Sequence, residues 1–208
     1  MSLRLPPEDA SELREFPTRM LSPDRDLFRV IRVGNGPWWF GSSMQGRFDL
    51  PEPDGTCYLA SDELAALAEL IGPEAVSGLI SAELLRERRL VRLRVPRETV
   101  VSDSTSRKAI RFGLTGEIGS VVPYAGPQAW AAKLRAGGSE GILYWLRHDP
   151  SRVEGFALFG PHGERTEWPW GDAEPKGIEP RLIELLREEL GIEVHDRPYA
   201  AELHIIGD

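Results

Sequence analysis

The sequence predicts a single α+β domain. Strand-like and helix-like segments intermix without a regular βαβ repeat, which disfavours a doubly wound sheet. The 208 residues suffice for one hydrophobic core and are short for two. No internal repeat and no linker-like stretch divides the chain, so residues 1–25 are expected as an N-terminal arm and residues 26–208 as the domain.

The elements follow in order. Residues 1–25 are polar and Pro-punctuated, with one helical turn expected around Ala10–Phe16. LFRVIRV (Leu27–Val33) combines β-branched residues with alternating Arg and predicts a strand. Gly34–Gly55 is rich in Gly, Pro and Ser, too long for a hairpin loop, and so a candidate functional loop. TCYLA (Thr56–Ala60) predicts a short buried strand. Ser61 is the expected N-cap of a helix that ends at Gly72, with Asp62 and Glu63 favoured by the helix dipole. Pro73 is expected to open a second helix, broken near Ser81.

RLVRLRVP (Arg89–Pro96) alternates Arg with apolar residues, the pattern of a half-exposed strand. ETVVSD continues as strand or turn, and TSRKAIRFGL predicts a short helix. Gly126–Gly138 predicts a helix with Pro in its first turn and Gly at its end. GILYWLR (Gly141–Arg147) and GFALFG (Gly155–Gly160) predict neighbouring strands. Trp168–Gly171 is expected as a turn or wall segment, Pro180–Gly191 as an amphipathic helix, and AELHIIG as a final strand.

Composition narrows the function. Apolar residues at 41% and charged residues at 28% are globular proportions, while a net charge of −8 argues against nucleic-acid binding and against anionic membranes. An anionic ligand remains compatible, because a few local Arg residues hold phosphates inside an acidic protein. Six Trp are a slight excess and could help to wall a pocket. The one cysteine, Cys57, lies in an apolar run and predicts a buried inert thiol, with no disulfide framework. The N-terminus has no apolar signal-peptide core and no run approaches a bilayer span, so a cytoplasmic location is expected.

Metal chemistry finds no support: His148, His162, His195 and His204 are scattered without metal-ligand spacing. No GxSxG elbow is present, and GNGPWWFG completes neither a phosphate loop nor GxGxxG. What remains is a set of polar residues at element edges: Arg29 in an otherwise apolar strand, Arg47 at the end of the long loop, Tyr58 in the buried strand, and Glu69 among Ala and Leu. A carboxylate in such surroundings calls for an Arg partner or a catalytic reason, unless it simply faces solvent.

These residues, taken together, resemble the RES domain, a family named for an Arg, a Glu and a Ser. The resemblance rests on FR in a strand, GRFDLP at the end of a loop, CYLA, a helix with ALAE, and GILYWLRHDP, which is similar to a family segment GI-x-Y-x-SRH-DP; it covers roughly residues 27–160. It implies a mixed, mostly antiparallel sheet core resembling ADP-ribosyltransferases of the diphtheria-toxin type, flanked by helices. It also implies an NAD-consuming enzyme with NAD as substrate and no further cofactor, commonly a toxin neutralised by an Xre-like antitoxin.

Carried over by position, Arg29 and Glu69 are the implied catalytic residues, and Arg47, Tyr58, Tyr144, Leu146 and Arg147 the implied substrate contacts. Leu146 stands where the family has Ser, which removes a hydroxyl. In such a site the buried carboxylate would stabilise the ribosyl cation, the guanidinium groups would hold pyrophosphate or an attacking phosphate, and Tyr58 would stack on the nicotinamide ring. Hydrolysis, phosphorolysis, ADP-ribosyl transfer to a protein and a catalytically weak NAD-binding module all fit the same residues.

Overall fold

The computed structural model describes residues 3–75, 77–169 and 176–196. Its strands are β1 (Thr18–Leu21), β2 (Leu27–Arg32), β3 (Trp39–Phe40), β4 (Asp54–Ala60), β5 (Leu79–Ser81), β6 (Arg88–Leu93), β7 (Thr99–Asp103), β8 (Gly141–Trp145), β9 (Glu154–Pro161), β10 (Gly163–Glu164), β11 (Lys176–Gly177) and β12 (Glu193–His195). Its α-helices are α1 (Glu63–Ala75), α2 (Ala82–Arg86), α3 (Ala125–Ala136) and α4 (Pro180–Leu190). Eight strands form one sheet in the order β1-β7-β8-β9-β4-β2-β6-β11. Within it β7 and β8 are parallel and every other neighbouring pair is antiparallel, giving the mixed, mostly antiparallel α+β domain that the sequence implied.

The two-residue period of the strands builds two cores. On one face Tyr58, Ala60, Ile142, Tyr144 and Ala157 pack with Trp130, Ala131 and Leu134 of α3 and with Ala65 and Ala66 of α1. On the other face Leu27, Ile31, Cys57, Leu59, Leu143, Phe156 and Leu158 pack with Trp38 and Phe40. Helix α1 carries a third cluster on its remaining side, where Leu67 and Ile71 meet Leu182 and Leu186 of α4. Helix α1 is thereby fixed between α4 and the sheet.

Several expectations change in detail. The segment expected as an arm contributes the edge strand β1, which pairs with β7, and buries Leu3, Leu13, Phe16 and Leu21; its short apolar spacing left no strand period to read. The N-cap of α1 is Asp62, whose Oδ1 accepts from the Ala65 N–H at 2.9 Å, rather than Ser61. Gly72 does not end α1, which runs on through Pro73 to Ala75. The next helix begins only after Ser81, which caps α2 by accepting from the Glu83 N–H. The short helix expected in TSRKAIRFGL is a 3₁₀ helix, Arg107–Phe112. The expected strand AELHIIG, together with Trp170 and Gly171, lies outside the described residues.

No helix among the described residues is long and apolar enough to cross a membrane. No group of three or more His, Cys, Asp or Glu side chains among the described residues is placed to hold a metal ion.

Candidate active site

A cavity of about 560 Å³ opens between α1, the first face of the sheet, and the loop that precedes β4. All seven residues carried over from the resemblance border it: Arg29, Arg47, Tyr58, Glu69, Tyr144, Leu146 and Arg147. Segments from β2, the loop before β4, β4 itself, α1 and the end of β8 therefore meet at one concave surface, in the usual volume range of small-molecule sites.

Glu69 reaches the cavity from the face of α1 turned to the sheet. Its Oε1 accepts from the main-chain N–H of His148 at 2.9 Å, which joins α1 to the segment after β8. Among the described residues Glu69 forms no ion pair. Neighbouring Ala66 is small and also borders the cavity, leaving room for a ligand beside the carboxylate.

Arg47 is only 9% exposed. One guanidinium N–H donates to the Val121 carbonyl at 2.7 Å, and the group lies over the Tyr124 ring at 4.7 Å. Burial pulls its pKa below the usual guanidinium value; Tyr124 opposes this and the positive charge of Arg147 adds to it. Among the described residues no carboxylate pairs with Arg47. A buried cation with spare donors beside a second cation is a surface prepared for an anion.

The loop is held by Asp49, which is 3% exposed. Its Oδ2 accepts from Ser43 Oγ at 3.0 Å and from the Gly46 N–H at 2.9 Å, and its Oδ1 accepts from the Tyr58 hydroxyl at 2.8 Å. Tyr58 Oη in turn accepts from the Phe48 N–H at 2.8 Å. Gly46 has no space for a side chain, since a Cβ there would lie 2.3 Å from Asp49 Oδ1 and 2.7 Å from the Tyr58 hydroxyl oxygen. Gln128 of α3 donates to the carbonyls of Met44 and Gly46 at 2.9 Å each. The expected functional loop is thus tied to β4 and α3 at the residues that flank Arg47.

Tyr144 is buried against Phe48, with ring centroids 4.8 Å apart. Burial and the Glu69 charge push its hydroxyl pKa up. Burial and the Asp49 charge do the same, strongly, to Tyr58. Both hydroxyls therefore stay protonated and can donate. Leu146 is 5% exposed, belongs to the core cluster of this face and also borders the cavity.

Arg29 is placed differently from the other six. It borders the cavity, but its guanidinium donates to the carbonyls of Pro37 and Trp39 and to Cys57 Sγ, on the opposite face of the sheet. The strand period explains this, because Arg29 alternates with Leu27 and Ile31, which pack in the second core. Its guanidinium braces the backbone of the long loop. Cys57, completely buried beside it, has its thiol pKa raised by burial. Among the described residues no tryptophan borders the cavity: Trp38 and Trp168 pack edge-on at 4.9 Å on the far face, and Trp130 lies in α3. Tyrosines line it instead.

Sequence reasoning missed Asp49, Tyr124 and His148. Asp49 carried a signal, a carboxylate between apolar residues in GRFDLP, and His148 sits in the motif LRHDP. Tyr124, in VVPYAG, carried none.

A family model described as the RES domain matches residues 26–174. No curated protein matches the sequence. Among solved structures, the chain is similar to a chain of the crystal structure of the M. tuberculosis MbcT–MbcA toxin–antitoxin complex, with a TM-score of 0.61 and 17% identity, over 86% of this chain and 94% of that one. At that identity the likeness is one of fold.

Proposed function

The chain belongs to the RES domain family, and from that premise we propose that it consumes NAD by cleaving the nicotinamide–ribose bond, as the toxin of a toxin–antitoxin pair. The observation that carries this reading is that one cavity is bordered both by the Glu69 carboxylate and by the buried Arg47, which has no carboxylate partner among the described residues. Cleavage builds positive charge on the ribose, which a fixed carboxylate stabilises, while the pyrophosphate is an anion that Arg47 and Arg147 can hold. Holding both ends in register supplies much of the rate by positioning.

Water or phosphate can attack the ribosyl carbon in the same pocket, giving hydrolysis or phosphorolysis. An NAD-depletion assay on purified protein, with and without phosphate and with products identified by mass, separates the two; absence of NAD loss under both conditions would refute the reading. An enzyme that drains NAD endangers its own cell, and the structurally similar M. tuberculosis protein was solved as a toxin–antitoxin complex. An Xre-like antitoxin covering the cavity is the partner this reading calls for.

One observation favours a second reading. Leu146 places an apolar side chain on the cavity wall where the family has a hydroxyl, which fits a module that binds NAD and turns it over poorly. Saturable NAD binding without turnover in the same assay would select it.

A further inference from the structure

Beyond the residues already given roles, the cavity holds one more group able to move a proton. His148 borders it, and its main-chain N–H is the donor that fixes Glu69. Its imidazole lies against Gly72, one helical turn after Glu69 on α1. A Cβ on Gly72 would fall 2.5 Å from Nε2 and 2.9 Å from Cε1, so a glycine there is what admits the ring. Among the described residues neither ring nitrogen has a hydrogen-bond partner, unlike His162, whose Nδ1 meets Ser42 Oγ at 2.9 Å. The groups around the cavity are Glu69 from α1, Arg47 from the loop, Tyr58 from β4, Tyr144 from β8, Tyr124 before α3, and Arg147 beside His148.

We propose that His148 is a catalytic base that takes the proton from the attacking water. The inference rests on the NAD-cleaving reading and specifies its nucleophile. The water oxygen forms a bond to the ribosyl carbon as the carbon–nitrogen bond to nicotinamide breaks. The bonding pair of that bond leaves with nicotinamide, which departs neutral. The water proton passes to an imidazole nitrogen and then to solvent, and the Glu69 charge stabilises the transient imidazolium. Glu69, whose Oε1 is held by the main chain, is then left to act on the ribosyl cation, and the two tasks fall to two groups.

The test is His148→Ala, which keeps the main-chain N–H that positions Glu69. Turnover of NAD is measured in phosphate-free buffer beside the wild type, with folding checked by thermal melt and with free imidazole added in a concentration series. The proposal expects kcat to fall by about 10²-fold or more with KM nearly unchanged, and free imidazole to restore part of it saturably. A purely structural role would not respond to imidazole. Wild-type kcat in a folded His148→Ala protein, or a loss that imidazole does not rescue, would overturn the role of His148 while leaving the NAD reading intact. Wild-type turnover only when phosphate is supplied would overturn this proposal and leave the NAD reading, whereas no wild-type turnover with or without phosphate would overturn both.

Discussion

The Tyr58 hydroxyl donates to Asp49 Oδ1 at 2.8 Å, and this bond links the strand β4 to the loop that presents Arg47. The same carboxylate gathers Ser43 Oγ and the Gly46 N–H, so three donors depend on one buried side chain. Asp49→Ala is expected to destabilise the fold by about 1–3 kcal/mol, the cost of buried donors left unpaired, read as a lower urea midpoint. A midpoint equal to wild type would show that the loop does not depend on Asp49.

Glu69→Gln keeps shape, and its amide oxygen can still accept from the His148 N–H. Removing the charge should lower NAD turnover by about 10²–10³-fold with an unchanged thermal melt. Expression of the wild-type chain alone should slow growth, and the Glu69→Gln chain at matched levels should not. Equal growth would favour the weakly active module.

Arg29→Ala should behave differently. It leaves the carbonyls of Pro37 and Trp39 without their donor and should cost stability, about 1–3 kcal/mol. The folded fraction should keep the wild-type kcat within a few-fold. A collapse of kcat with unaltered stability would return Arg29 to a catalytic role.

Alkaline solution should weaken the fold through its tyrosines. The folded state raises the hydroxyl pKa of Tyr58 and of Tyr144 above the ordinary value of 10.0. Protons are then held more tightly folded than unfolded, so this stability is complete below about pH 10 and is lost as pH rises above it toward the folded values. The melting temperature should fall above about pH 10, and less steeply in Tyr144→Phe, which removes one of the two groups. Parallel curves for the two proteins would assign the loss elsewhere.

Leu146→Ser removes three carbons from a residue 5% exposed in the core cluster. It should destabilise the protein by about 2–5 kcal/mol. Because the same side chain borders the cavity, NAD turnover per folded molecule should rise if the new hydroxyl reaches the ligand. The melting temperature and the turnover of the folded fraction, measured on one preparation, separate the two effects.

Much of the fold was legible because strand and helix periods were strong. The alternation in LFRVIRV, CYLA and RLVRLRVP marks β2, β4 and β6, and Pro180 and Gly191 bracket α4. Strand β1 was not legible, since TRML buries only Leu21 and owes its conformation to pairing with β7. Glycine was a poor stop signal at Gly72, where the absent side chain serves the His148 ring rather than a helix end. At the site, the motif residues were visible as types in sequence, but strand parity decided which face each one served. Parity sends Tyr58 to the cavity and Arg29 away from it, and reading it in LFRVIRV would have separated the two. Tyr124 and the Asp49 network arise from chain segments brought together only by the folded loop.

The pairing of β4 with β9 has a consequence for synthesis. Tyr58 faces Ala157 across a register that runs from Asp54 with Pro161 to Ala60 with Gly155, and the Tyr144–His148 wall begins at the end of β8. A growing chain therefore exposes Arg47, Tyr58 and Glu69 long before the ribosome has delivered the residues that complete the cavity. Nascent chains carry an unfinished pocket, which is completed only once the segment through His148 has been made. Under the proposed function, that order would give a partner made alongside the chain an interval in which to be ready.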